Sequence, residues 1–439
     1  MRTIAHIPRR LTPRSWGGTE RVLSQTLPLL RRAGLEQRVL TTRALDDEPI
    51  GDVGGVPVAR FTYGYPEWPL SAERRERYDR CGGNLVSFPL ARRLMHLRDL
   101  ALVHCHTGNR LAAQCLQVAR RRGVPFVVTL HGGHFAVPED ERRRWQQRRG
   151  ASAAAAEGSD WTIPWGKVLS LMWGTRTLLE RADAVVCVGI EEFEVARAQL
   201  RGSRVVLLPG GVDPDVFAAG SPERGRRLLG IPADARLMIC VARLDPQKDQ
   251  ETLVRAWLSL EDPSCYLALV GPETEPGYAA LCRQLAGAAA DRIRIVESLA
   301  SEKVPDVLAA AQVAVLPSRH EPFGLSCLEA WAARRCLVAA DVGGPRWLLR
   351  DGTAGRLFPP GDHEALRALL RELLDDDTQR ERLARAGARR AQEEFTWERR
   401  AEGLLSLYRA LGVRWTSPLV MSPTPRSGGA PRLLGEGTP

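Results

Sequence analysis

With 439 residues, 44% apolar and 26% charged, the chain has the composition of a soluble globular protein and is too long for one ordinary core, so two domains are expected. Its net charge of +10 is carried almost wholly by arginine, lysine occurring only at 167, 248 and 303. The nine cysteines are scattered and never form Cys-x-x-Cys, which argues against a disulfide framework or a zinc ribbon, and no apolar run reaches the length of a membrane helix.

The start, "MRTIAHIPRRLTPR", lacks the apolar core of a secretory signal and "RTIAHI" (2–7) reads as a first strand, so the protein is expected to stay in the cytoplasm. Short apolar strands follow at 37–42, 56–61, 101–105, 125–130, 184–188 and 204–208. Between them lie amphipathic helices such as "TERVLSQTLPLLRRAG" and "GNRLAAQCLQVARRRG", apolar at helical spacing and closed by glycine. "LLPGGVDPDVFAAGSPE" (207–223), rich in Gly and Pro, is the expected joint. Beyond it "RLMICVA", "CYLALVG", "RIRIVE", "VAVLP" and "CLVAA" read as buried strands separated by helices. This alternation predicts an α/β protein of two doubly wound parallel sheets, with domains at 1–208 and 209–395. Residues 149–166 read as a surface insertion and 416–439, rich in Pro, Gly and Ser, as a disordered tail. The arginine clusters "ERRER" (73–77) and "ERRRWQQRR" (141–149) fit solvated helix faces or contacts with an anionic membrane surface; no nucleic-acid motif accompanies them.

In open parallel sheets ligands collect beyond the carboxyl ends of the strands, and the motifs that could carry chemistry fall there. In "VARLDPQKD" (241–249) Arg243 and Lys248 leave a strand end across an Asp-Pro turn. A planar fork and a movable point charge together suit a diphosphate, although the pair taken alone fits a charged surface turn as well. In "SWGGTERVL" (15–23) Gly17 and Gly18 open a helix after the first strand and would let backbone N–H groups approach an anion; a plain helix entry fits too. Neither a Gly-x-Gly-x-x-Gly fingerprint nor a Walker A sequence occurs. In "RHEPFGLSCLEAWAARRC" (319–336), Glu321 should lie in a loop and Glu329 inside the following helix, with the amides of Phe323, Gly324 and Leu325 at its start. Two carboxylates would repel a diphosphate but accept hydrogen bonds from hydroxyls. Glu321 would therefore take a transferred sugar and Glu329 a ribose, while Arg243 and Lys248 neutralise the phosphates of one sugar nucleotide.

In these residues the chain resembles the retaining glycosyltransferases of the GT-B fold, family 4 type. "EPFGLSCLE" is similar to that family's Glu-x7-Glu motif, "VARLDPQKD" to its Arg…Lys clamp and "GGTE" to its glycine loop. "TLHGG" (129–133) is similar to its sugar-proximal loop, which implies His131 near the transferred hexose. "FTWERRAEGLLSLYRAL" is similar to the terminal helix, 396–412, that packs back on the N-terminal domain. The chain departs from the pattern at Gly210, where the family carries Asn, and in "LVGPETEPGY" (269–278).

The resemblance implies a GT-B architecture, two Rossmann-like domains facing an interdomain cleft, the first on the acceptor side and the second binding the donor. It implies metal-independent, retaining hexosyl transfer from a UDP- or GDP-sugar to a glycan or lipid-linked acceptor, in polysaccharide or glycolipid assembly at the inner face of the membrane. No cofactor is expected beyond the sugar nucleotide. Arg243, Lys248, His131 and Glu321 would carry the chemistry; Gly17, Gly18, Phe323, Gly324, Leu325 and Glu329 would bind the donor. Rival readings are a sugar-nucleotide epimerase or hydrolase on the same scaffold, or a nucleotide-dependent binding protein without turnover. "DPD" (213–215) mimics a metal motif but reads as a turn in the joint. His104, His106, His131 and His134 show no convergent metal set by sequence; His106, at a strand end, is a candidate cleft residue without an assigned role.

Overall fold

A computed structural model describes residues 2–12, 17–67, 70–135, 137–139, 141–143 and 165–416. The expected insertion, except for its last two residues, the expected tail after Thr416 and the distal part of the second arginine cluster lie outside these residues. The chain divides into one unit of Met1–Pro209 with Arg400–Pro439 and a second of Gly210–Arg399.

The first unit is built on eight strands: β1 (Thr3–Ile7), β2 (Glu36–Thr42), β3 (Ile50–Val53), β4 (Val56–Phe61), β5 (Leu100–Cys105), β6 (Phe126–Leu130), β7 (Ala184–Cys187) and β8 (Arg204–Leu207). Their order is β3-β4-β2-β1-β5-β6-β7-β8, and only β3 runs antiparallel to its neighbour. β1, β5, β6 and β7 are buried along their whole length, as continuous apolar runs covered by helices require. The sequence reading missed β3. It is the edge arm of a hairpin whose two-residue loop, Gly54-Gly55, takes φ of 59° and 82°, the left-handed conformation that glycine supplies.

The second unit holds β9 (Arg236–Val241), β10 (Cys265–Val270), β11 (Ile293–Val296), β12 (Val313–Leu316), β13 (Cys336–Ala340) and β14 (Arg356–Phe358) in a fully parallel sheet, ordered β11-β10-β9-β12-β13-β14. β14 is too short to leave a periodic signal. The expectation of two doubly wound parallel sheets holds. In each, the strand order reverses once, between β1 and β5 in the first and between β9 and β12 in the second, and such reversals open ligand crevices at the strands' carboxyl ends.

Among the described residues no helix is long and apolar enough to cross a membrane. The described cysteines whose side chains are placed are free and buried. In the joint, Asp213 Oδ1 accepts from the N–H groups of Asp215 and Val216, both at 3.2 Å, so the Asp-x-Asp lookalike is a helix cap.

The terminal helix Trp397–Ala410 ends inside the first unit. Gly403 lies against Leu208, where a Cβ would come within 2.5 Å of Cδ2, and Tyr408 is fully buried. The Tyr408 hydroxyl meets His104 Nδ1 at 2.6 Å, and the other ring nitrogen of His104 meets Thr129 Oγ1 at 2.7 Å. Tyr408→Phe therefore leaves one buried ring nitrogen without a partner. The expected loss is about 1–3 kcal/mol, read as a lower midpoint in urea with an unchanged slope.

Candidate functional site

In the second unit the site grows from the reversal point. β9 ends at Val241 and releases the turn that carries Arg243 and Lys248. Asp245, 2% exposed, organises that turn. Its carboxylate accepts from Gln247 N–H at 2.8 Å and from the Thr274 hydroxyl at 2.9 Å, and its carbonyl accepts from Lys248 N–H at 2.8 Å. The Arg243 guanidinium is half-exposed, at 3.6 Å from Asp245 Oδ2 and 3.4 Å from Thr274 Oγ1. These contacts are long enough for a cation to exchange them for a stronger anion.

β12 delivers the second loop. Arg319 N–H donates to the Gln247 carbonyl at 2.9 Å and Gln247 Nε2 donates to the His320 carbonyl at 3.1 Å, so the two loops are joined through backbone groups. Arg319 also reaches across to Asp249 at 3.2 Å. This joining sets Lys248 Nζ 2.5 Å from Glu321 Oε2, with side-chain exposures of 13% and 12%. The sequence reading assigned the lysine to phosphate and the glutamate to a sugar as separate contacts; in the structure they are each other's partner. Two opposite charges withdrawn this far from water require a partner, and each supplies it.

After Glu321 the chain turns at Gly324, φ 93°, which begins the helix Leu325–Ala332. The Phe323 ring is buried near Trp347 and Phe395, with ring centroids 6.3 and 6.2 Å away, so its side chain serves the core and only its backbone can serve a ligand. Ser326 Oγ donates to the Val241 carbonyl at 2.8 Å, fastening the helix start to the end of β9. Glu329 lies in the second turn and is 5% exposed. Gly210, the departure in the joint, has a steric cause: a Cβ there would lie 2.5 Å from Leu325 Cδ2 and 2.9 Å from Phe323 Cε1.

In the first unit the Gly17 N–H donates to Glu20 Oε2 at 3.0 Å. That amide is engaged inside the helix entry, which corrects the expectation that both glycine amides face an anion. Gly18 retains open space around its Cα. β6 ends at Leu130 and leads into His131. Gly132 and Gly133 both take positive φ, 90° and 93°, and buried Glu192 accepts from the N–H groups of Gly132 at 3.1 Å and His134 at 3.0 Å. Four histidines converge nearby. The parallel register sets His6 opposite His104, and His106 follows β5, so His6, His104 and His106 have ring nitrogens within 4.8 Å of one another. His6 Nδ1 is 3.1 Å from His106 Nε2, and His106 Nδ1 is 3.3 Å from His131 Nε2. The sequence reading missed His6 and Gln37, because only the strand register joins them to His106.

Burial holds all four rings neutral. His6 is pushed down to about 4, and His104 and His106 lie well below the usual histidine range, each chiefly through burial. His131 is pushed down to about 3 by burial and then by the Arg400 cation. Arg400, itself lowered to about 10 by burial, donates to the carbonyls of Leu208 and Pro209. The His6, His104 and His106 trio is the one metal-ligand cluster among the described residues. Each of its ring nitrogens already faces a protein partner, so the geometry is that of a hydrogen-bonded network.

Two doubly wound sheets, each with candidate site residues beside its reversal point, are the architecture of the GT-B class. Residues 223–390 match the family described as "Glycosyl transferases group 1", and residues 16–216 match "Glycosyltransferase Family 4". The chain belongs to glycosyltransferase family 4. It is 32% identical over 426 residues, 90% of each chain, to a D-inositol 3-phosphate glycosyltransferase of Kineococcus radiotolerans, and 29% identical over 413 residues, 89% of each, to one of Thermobispora bispora. In three dimensions it is similar to sucrose-phosphate synthase from Thermosynechococcus elongatus, with a TM-score of 0.71, 23% identity and coverage of 94% of this chain and 99% of that one. It is also similar to Anabaena HepE in complex with UDP and glucose, with a TM-score of 0.69, 19% identity and coverage of 93% and 99%.

Gly210→Asn inserts atoms where Phe323 and Leu325 already pack. The expected cost is about 1–3 kcal/mol, seen as a lower denaturation midpoint in urea.

Proposed function

We propose that this glycosyltransferase moves a hexose, with retention of anomeric configuration, from a UDP- or GDP-sugar to an acceptor hydroxyl in polysaccharide or glycolipid assembly. The observation that carries the proposal is the Lys248–Glu321 ion pair at the reversal point of the second sheet, with Arg243 beside it. A ligand that opens this pair must compensate both charges. A sugar diphosphate does so in one molecule: its phosphate oxygens take the ammonium, and its sugar hydroxyls donate to the carboxylate. Glu329 holds the ribose through the same chemistry, and the amides at 323–325 are the backbone donors that the second unit offers the ligand.

Arg243 and Lys248 meet the charge that grows on the leaving diphosphate, so the proposed reaction calls on no metal ion. The bond between the anomeric carbon and the phosphate oxygen breaks while the acceptor oxygen bonds to the same face of that carbon. The acceptor's proton passes to the departing phosphate oxygen. HepE, solved with UDP and glucose, supports a uridine donor. Relatives named for D-inositol 3-phosphate add a phosphorylated polyol to glycans and lipid-linked sugars as acceptor classes. A lipid-linked acceptor would be met at an anionic membrane surface, where the arginine-rich helix Ala72–Cys81 could add attraction.

A thermal-shift panel with UDP, GDP, ADP and NAD tests the donor site. Ligand at a hundred times its dissociation constant adds about 2.7 kcal/mol to native stability. One nucleoside diphosphate is expected to raise the melting temperature of the wild type and much less that of Glu329→Ala; stabilisation by NAD alone, or by none, overturns the reading. In steady-state assays with that donor, Arg243→Ala/Lys248→Ala is expected to lower kcat by roughly a hundredfold or more. Undiminished turnover would remove the clamp from the mechanism, and donor consumption without an acceptor would favour a hydrolase or epimerase.

A further inference from the structure

We propose that Gln37, acting through His6 and His106, fixes the tautomer of His131, so that His131 presents its Nδ1 as a lone pair to a hydroxyl of the bound substrate. The first part concerns the free protein; the last step rests on the transferase reading above.

The direction of the chain is set at its buried end. The carbonyl of Leu35 can only accept, and Gln37 Nε2 donates to it at 3.0 Å. This orients the amide so that its oxygen faces His6 Nε2 at 2.8 Å. That oxygen also only accepts, so His6 carries its proton on Nε2 and a lone pair on Nδ1. His106 Nε2, 3.1 Å from that lone pair, must then be the donor, which leaves the lone pair of His106 on Nδ1. His131 Nε2, 3.3 Å away, donates in turn, and its lone pair falls on Nδ1. Among the described residues no protein group donates to that Nδ1, so it is left for a ligand.

The relay needs neutral rings, since an imidazolium would donate from both nitrogens. Gln37 is fully buried, and His6 and His106 are 1% and 8% exposed. The groups facing the relay are His104, Arg400 and Tyr408; the Arg400 cation opposes a second positive charge. His104 shows by contrast what a directed chain requires. It stacks on His106 with ring centroids 4.5 Å apart, but its partners are the hydroxyls of Thr129 and Tyr408, which can donate or accept and so impose no direction. Reversing the relay would turn Gln37 and set its oxygen against the Leu35 carbonyl, or leave two lone pairs facing each other in the interior. A zinc ion in the His6, His104 and His106 cluster would need the lone pairs that these hydrogen bonds already use.

The test is a long-range proton–nitrogen correlation spectrum of the full-length protein labelled with nitrogen-15 in its histidine rings, at neutral pH, with each ring assigned by single substitution. His6, His106 and His131 are expected to be protonated at Nε2 and bare at Nδ1. In Gln37→Met, which keeps volume and loses the acceptor, His131 is expected to shift toward a mixture of tautomers, and kcat/KM to fall about tenfold, the rate equivalent of one ordinary hydrogen bond. A wild-type His131 protonated at Nδ1 overturns the proposal. So does an unchanged His131 signal in Gln37→Met, or a metal signature that a chelator removes. If that variant does not fold, the wild-type spectrum still decides the tautomer. Altered tautomers with unaltered kcat/KM would overturn the link to substrate, whereas failure of the donor reading shows independently in the nucleotide melts.

Discussion

Parallel pairing at the two reversal points, β1 with β5 and β9 with β12, is the constraint from which both candidate sites follow. Strands that leave such a pair turn to opposite sides, so the segments after them cannot close over each other and a crevice stays open. In the second unit this brings the turn after β9 beside the loop after β12, and Lys248 meets Glu321 across 73 positions of sequence. In the first unit it places His6 opposite His104, with His106 one step beyond.

The two places handle polarity in opposite ways. The second unit keeps charge, because Lys248 and Glu321 compensate each other while Arg243 remains half-exposed beside them. The first unit keeps its histidines neutral and directs their hydrogen bonds instead. A charged pair suits a ligand that brings charge of its own, and a directed neutral acceptor suits a ligand that brings hydroxyl groups.

Close packing of backbone against side chain connects the second site to its supports. Gly210 admits the Phe323 ring and Leu325, and Gly344 lies so near the Phe323 carbonyl that a Cβ would come within 2.0 Å of the oxygen. Gly344 N–H also donates to the Glu321 carbonyl at 2.8 Å. The loop that carries the candidate sugar-facing glutamate is thus held on two sides by positions where a side chain does not fit. The helix after it is fixed by Ser326 to the strand that delivers the cations.

The sequence by itself determined the class of fold. Continuous apolar strands alternating with amphipathic helices admit only buried parallel sheets, and the Arg…Lys and Glu-x7-Glu spacings could be placed at strand ends because strand ends are a local signal. The short edge strands β3 and β14 escaped because edge position and a length of three or four residues leave little periodicity. Only the tertiary structure decided the partners. That Lys248 holds Glu321, that Gly17 answers to Glu20, that Gly210 is required by Phe323, and that Gln37 reaches His131 through two further histidines all depend on register and loop path. Those are set by packing between segments far apart in the chain, which no local pattern of residues records.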